Sequence, residues 1–212
     1  LRLGVIPTVA PYLLPTVVPA VHEVYPDLRL YLREGRTHEL VDLCETGELD
    51  MLLLALDVEL GSLASHHLFD DPFLLATPLG HPLAKRKRAR KQDLADVHML
   101  LLEEDHCLRG HALEFCPSSK PVLDDDFRAS SLGTLMQMVA GGLGITLLPS
   151  IAARAEASPA LELRPFQKAK GQRLPSRRIG LAWRPTSPRA KQFEELAGLF
   201  RDVLEPLAKT SS

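Results

Sequence analysis

The sequence predicts an α/β protein of two units with a crossover of the chain between them. Short apolar runs alternate with helical patterns along its whole length, the signature of largely parallel sheets covered by helices on both faces. Its 212 residues, 45% hydrophobic and 25% charged, suffice for one large domain or two small ones with a real core. No internal repeat or low-complexity tract interrupts the alternation.

Leu1 to Ile6 reads as a strand with Leu1, Leu3 and Val5 alternating, and Pro11 to Val24 as a helix with Leu14, Val17, Val18 and Val21 on one face. Leu28, Leu30 and Leu32 alternate as the next strand. Thr37 then caps a helix that carries Leu40, Leu43 and Cys44 inward and stops at Gly47. Cys44, four residues beyond Leu40, is thereby assigned to the core. Met51 to Leu56 follows as a buried strand.

Phe73 to Thr77 and His98 to Leu102 read as further strands, joined by a charged connection containing Pro82. Within it lies Lys85-Arg86-Lys87-Arg88-Ala89-Arg90-Lys91, a solvated, mobile surface loop or a phosphate-contacting patch. Beyond the turn-rich Pro117-Ser118-Ser119-Lys120-Pro121 comes a strand around Phe127. Ser130 or Ser131 caps a helix through Val139, which Gly141, Gly142 and Gly144 break. Ile145 to Leu148 and Arg178 to Trp183 are the last strands. Arg189 to Leu207 is a C-terminal helix with Phe193, Leu196, Leu199, Phe200 and Val203 inward.

A formal net charge of −2 provides no global basic field, so long-range attraction to nucleic acid is not expected of this piece. The longest apolar runs, such as Met51 to Leu56, are too short to span a bilayer, and the chain opens on a strand rather than a signal peptide. A cytoplasmic location without membrane contact is the expectation. The immediate start on a strand, without Met, suggests a missing upstream domain. Three cysteines, Cys44, Cys107 and Cys116, are too few for a secreted disulfide framework, and no Cys/His cluster has zinc spacing. No metal and no cofactor is expected. In a reducing compartment, a cysteine pair of consequence is catalytic or redox-sensing.

The segment from Glu103 to Pro117 is the most informative. It follows a strand and opens a helix, with Asp105 as N-cap and Cys107 in the first turn, where the helix dipole and free amides favour a thiolate. His106, Arg109 and His111 add positive or hydrogen-bonding groups, opposed by Glu103, Glu104 and Asp105. A continuous helix over 107–116 would separate the two cysteines by roughly 13 Å at ~1.5 Å per residue, whereas a disulfide needs Cα atoms within about 7 Å. Forming the bond would therefore unwind the segment. Closing so short a loop contributes at most about 3 kcal/mol, comparable to disrupting a small cluster of Leu108, Leu113 and Phe115. Spacing alone leaves open that the two cysteines are unrelated.

His106-Cys107-Leu108-Arg109 followed by Cys116 resembles the redox segment of the OxyR family of hydrogen peroxide-sensing LysR-type regulators. Gly4 to Pro15, Phe127 to Leu132 and Gly144 to Pro149 are similar to that family as well, so the likeness covers most of the chain. The resemblance implies an effector domain like the periplasmic binding proteins, with two Rossmann-like subdomains joined by two crossovers near residues 70 and 176. Residues 1–70 with 176–212 would form one subdomain, and 71–175 the other, carrying the redox cysteines.

It further implies that Cys107 is the peroxidatic cysteine and Cys116 the resolving one, and that Thr8, Thr37 and His106 surround the reactive thiol. Leu108 would anchor the reduced packing and Arg109 would flank the thiol. Thr8 and Thr37 read equally well as helix caps, and His106 and Arg109 as surface residues. The implied partners are hydrogen peroxide, further copies of the chain in a homodimer or homotetramer, and RNA polymerase. Promoter DNA would be held by a winged helix-turn-helix absent from this chain.

Three other readings stand beside this one. A LysR-type domain responding to a small carboxylate or aromatic in the cleft between subdomains would make the cysteines incidental. A thiol peroxidase would need a reductant-docking design such as Cys-x-x-Cys, which is absent, so a stoichiometric sensor suits the sequence better than an enzyme. A periplasmic solute-binding protein would share the fold.

Overall fold

The computed structural model describes residues 1–95, 97–103, 107–115, 129–168 and 173–210. The chain divides into two compact units, one of Leu1–Asp71 with Arg177–Ser212 and one of Pro72–Ser176.

The first unit is built on β1 (Arg2–Val5), whose inward residues Leu3 and Val5 are at most 1% exposed. β1 pairs in parallel with β2 (Tyr31–Glu34) on one side and β3 (Met51–Ala55) on the other, while β7 (Ser176–Trp183) joins β3 antiparallel, Leu53 opposite Leu181. The parallel pairs require crossovers, which α1 (Ala10–Val24) and α2 (Thr37–Glu45) supply. α1 buries Val17 and Val21 as expected, but Leu13 rather than Leu14 completes the buried stripe, with Leu14 and Val18 half-buried beside it. Its Pro15 and Pro19 are exposed, where water can take the carbonyls their missing N–H groups leave.

β2 corrects the leucine alternation. The strand begins at Tyr31, all four residues are exposed, and Leu32 faces solvent because this strand forms the sheet's edge. In α2 the buried residues are Leu40, Val41 and Cys44, and Leu43 is half-buried. The helix stops where expected, at Gly47, whose φ of 88° is left-handed and costs glycine little. α6 (Ala190–Thr210) packs against α1 and buries Phe193, Leu196, Phe200 and Leu204, with the Phe193 ring edge-on to Trp183 of β7.

In the second unit, β4 (Ala64–Pro78), a long strand entering from the first unit, pairs antiparallel with β5 (Thr146–Pro149) and β6 (Leu161–Pro165). The sheets are thus mixed rather than largely parallel. Parallel bridges do occur here, Met99 to Ile145 and Leu102 to Ala129, and they hold the predicted His98–Leu102 segment in extended form. Two helices leave the ends of these bridged segments: α3 (Cys107–Phe115) and α4 (Leu132–Ala140). Ser131 caps α4, accepting a bond from the Thr134 amide at 3.2 Å. A short α5 (Ala153–Glu156) follows β5. The expected strand around Phe127 lies outside the described residues.

Candidate functional site

In the second unit, Glu103 N–H donates to the Ala129 carbonyl at 3.1 Å, fixing the end of the extended segment that leads to α3. Cys107 is the first helical residue. That start places its backbone where amide dipoles converge, the position the sequence assigned to a stabilised thiolate. Asp105, proposed as N-cap, His106 and Cys116 lie outside the described residues.

The inward face of α3 is Leu108, His111, Ala112 and Phe115, spaced i, i+3, i+4 and i+7. Leu108, His111 and Ala112 are at most 5% exposed. Phe115 meets Phe73 edge-on, with ring centroids 6.0 Å apart, and the His111 ring stands 6.0 Å from the same phenylalanine. Lys91 Nζ sits 5.5 Å from the Phe115 ring centroid. This geometry corrects the expected Leu108–Leu113–Phe115 cluster. Residues five apart are turned by about 140° at 3.6 residues per turn, so Leu113 cannot share the face of Leu108 and is 37% exposed. Arg109 is half-buried.

In the first unit, Thr8 is 2% exposed and is not a helix cap. Its hydroxyl accepts from Arg177 Nη1 at 2.8 Å, and its carbonyl accepts from Arg177 Nη2 at 3.0 Å. Arg177 Nε donates to Asp71 Oδ2 at 3.0 Å, with both charged side chains wholly buried. One guanidinium thus binds a carboxylate and both oxygens of Thr8. A hydroxyl that accepts from a cation retains its own proton for another acceptor. Thr37 is half-buried and is the first residue of α2; Arg36, with extended backbone, occupies the cap position, and no side-chain hydrogen bond caps the helix there.

Sequence reasoning missed Arg177 and Asp71. A signal existed: Arg177, Ile179 and Leu181 follow the alternation of β7, and all three are fully buried. Extending the strand one residue earlier would have put an arginine on its inward face, where a buried partner is required.

Cys44 has the opposite character from a reactive thiol. It is fully buried in α2, and burial pushes its thiol up to about 11 despite the nearby Arg184 guanidinium, which donates to the Cys44 carbonyl. Among the described residues no cluster of three or more His, Cys, Asp or Glu is arranged to hold a metal, and no helix is long and apolar enough to cross a membrane.

Residues 1–205 match the LysR substrate binding domain family. The chain is 40% identical over 213 residues to the hydrogen peroxide-inducible genes activator of Pectobacterium carotovorum, covering all of this chain and 69% of that protein. It is 43% identical over 202 residues to the DNA-binding transcriptional dual regulator OxyR of Escherichia coli K12, covering 95% of this chain and 65% of that protein. Among solved structures, a mutant OxyR from Corynebacterium glutamicum superposes with a TM-score of 0.91 at 34% identity, over 100% of this chain and 65% of that one. Structures of the reduced and the oxidized form of OxyR each give 0.84, at 40% and 41% identity, over 97% of this chain and 95% of theirs.

Proposed function

The chain belongs to the LysR substrate binding domain family, and we propose that it is the peroxide-sensing regulatory domain of a longer transcription regulator, switched by a disulfide between Cys107 and Cys116. The observation that carries this reading is the helix that starts at Cys107 and runs to Phe115. Eight helical steps of ~1.5 Å separate the Cα atoms of these two residues by about 12 Å. Cys116 is one peptide further, about 3.8 Å from Phe115. However the chain turns after Phe115, the two cysteine Cα atoms stay at least about 8 Å apart, beyond the reach of about 7 Å that a disulfide permits. Helix α3 and the bond exclude each other, and so the thiols' oxidation state selects the fold of the segment. That relatives have been solved in reduced and oxidized forms supports two such states.

The chemistry balances with peroxide as the sole oxidant. The Cys107 thiolate attacks one peroxide oxygen; an S–O bond forms, the O–O bond breaks, and the departing hydroxide takes a proton to become water. The Cys116 thiol then attacks the sulfenic sulfur. The S–S bond forms and a second water leaves, so two thiols have supplied two electrons. Peroxide is small and uncharged, and selectivity rests on hydrogen-bonding groups that hold one oxygen near sulfur and stabilise the leaving hydroxide. Thr8, Thr37 and His106 are assigned that role. Arg177 supports it by fixing the Thr8 hydroxyl as an acceptor with its proton still available. Leu108 anchors the reduced helix in the core, and Arg109 contributes positive charge beside Cys107.

The domain reacts once per signal and is not an enzyme. In the whole protein, a winged helix-turn-helix outside this chain would bind promoter DNA, and unwinding of α3 would repack contacts between copies in a dimer or tetramer and alter recruitment of RNA polymerase. Its compartment is the cytoplasm, where thiols are kept reduced between signals.

The test is peptide mapping. Reduced protein is titrated with substoichiometric hydrogen peroxide, alkylated, digested with trypsin and weighed; Arg109 lies between the two cysteines, so their peptides separate unless linked. One equivalent of peroxide should tie the Cys107 and Cys116 peptides together and leave Cys44 alkylatable after unfolding. Three alkylated thiols after peroxide would overturn the redox reading.

A further inference from the structure

The basic run absorbed by no part of the switch is the strongest remaining feature of the surface. Arg86, Lys87, Arg88, Arg90, Gln167 and Lys168 line an open groove of about 860 Å³ within the second unit. All six are exposed, yet the backbone beneath them is fixed. Ala89, 1% exposed, bridges to the buried Phe166, with its N–H donating to the Pro165 carbonyl at 2.9 Å and its carbonyl accepting from Gln167 at 2.7 Å. Arg164 Nε donates to the Ala84 and Arg86 carbonyls at 3.0 and 3.2 Å, tying the same run to β6. Two of the cations are themselves held. Arg86 pairs with Asp93 at 3.1 Å, and Arg90 Nε donates to Gln167 at 3.2 Å.

We propose that this groove binds the sugar-phosphate backbone of duplex DNA without reading its sequence. Five cations surround one groove in a chain whose net charge is −2, so positive charge is concentrated here against the overall balance. The lining holds neither an aromatic platform for bases nor the apolar wall that a small-molecule pocket requires. Three of the five cations are arginines, whose planar forks match phosphate oxygens. An open polar channel with anchored cations fits an extended polyanion. The proposal rests on the reading of this chain as the sensing part of a DNA-bound regulator: duplex held elsewhere in that protein would supply the phosphates. An acidic protein surface is the competing occupant.

The test is fluorescence anisotropy of a labelled duplex of arbitrary sequence with this chain, as salt is raised from about 30 mM. With Arg86 neutralised by Asp93, four phosphate contacts give a slope of log affinity on log salt of about −3.6, so doubling the salt should weaken binding about 12-fold. Replacing Lys87, Arg88 and Lys168 together with Gln leaves Arg90 and should bring the slope to about −0.9 and the weakening to about 2-fold. Equal slopes for parent and variant, or no binding at about 30 mM salt, would overturn the proposal. So would tighter binding of poly-glutamate than of duplex, which assigns the groove to an acidic protein. The same variant is carried through the peroxide titration. A reduced salt slope in the variant with an intact Cys107–Cys116 disulfide in parent and variant supports the groove, whereas a failed disulfide in both sinks the sensor reading and leaves the groove result standing on its own.

Discussion

Replacing Arg177 with Met tests the buried core of the first unit. The substitution keeps an unbranched side chain in place but removes the guanidinium that binds Asp71 and donates to both oxygens of Thr8, all at positions at most 2% exposed. Breaking a buried ion pair by removing one of its partners costs about 3–5 kcal/mol. For a chain of this size each kcal/mol moves the thermal midpoint by roughly 2–4 °C, so the midpoint should fall by about 10 °C. Because the expense lies in the stranded charge, the double variant Arg177→Met with Asp71→Leu should recover most of it, while Asp71→Leu alone should not, since it strands the guanidinium instead. Calorimetry of the four proteins forms a double-mutant cycle. A single variant within about 1 kcal/mol of the parent, or a double variant no better than the sum of the singles, would refute the argument.

Three further outcomes follow from the site. Cys44 has a folded-state pKa raised to about 11 from an ordinary thiol value of 9.0; above pH 9 the unfolded thiol loses its proton while the folded one keeps it, so stability falls between pH 9 and 11. The loss is about 2–3 kcal/mol, and Cys44→Ala should flatten that limb of a pH series of denaturation curves. Phe115→Ala removes the ring packed on Phe73 and, because Phe115 is only half-buried, should destabilise the reduced helix by about 1.5 kcal/mol, half the lower figure for a core phenylalanine, making the disulfide harder to reduce by about 30 mV in a glutathione redox titration; a shift to less negative potential would contradict the packing argument. Cys116→Ser should leave Cys107 able to react but not to cross-link, so a sulfenic acid is trapped and labelled by a dione reagent, which Cys107→Ser should abolish.

Periodicity carried much of this fold, and the departures have physical causes. The strands around Leu3, Leu53 and Leu181 were legible because interior strands keep an apolar pattern. The edge strand β2 was not, because leucines at 28, 30 and 32 mimic an inward face that the edge leaves in water. β6 was missed, since Leu161, Leu163 and Phe166 are interleaved with Glu162 and Arg164, which serve the surface and brace the basic run. For the site, the cysteine spacing and the helix start were readable from sequence, but the partner of Thr8 was not. Arg177 is 169 residues away from it, a distance that only the returning strand β7 closes.

The central claim is that the disulfide and helix α3 exclude each other, and hydrogen exchange over residues 107–115 measures this directly. In the reduced protein, amides in the helix interior should be protected. After one equivalent of peroxide, with the Cys107–Cys116 bond confirmed by mass in the same sample, that protection should be lost while the amides of β3 and β7 stay slow. A formed disulfide with undiminished protection across 107–115 would contradict the account.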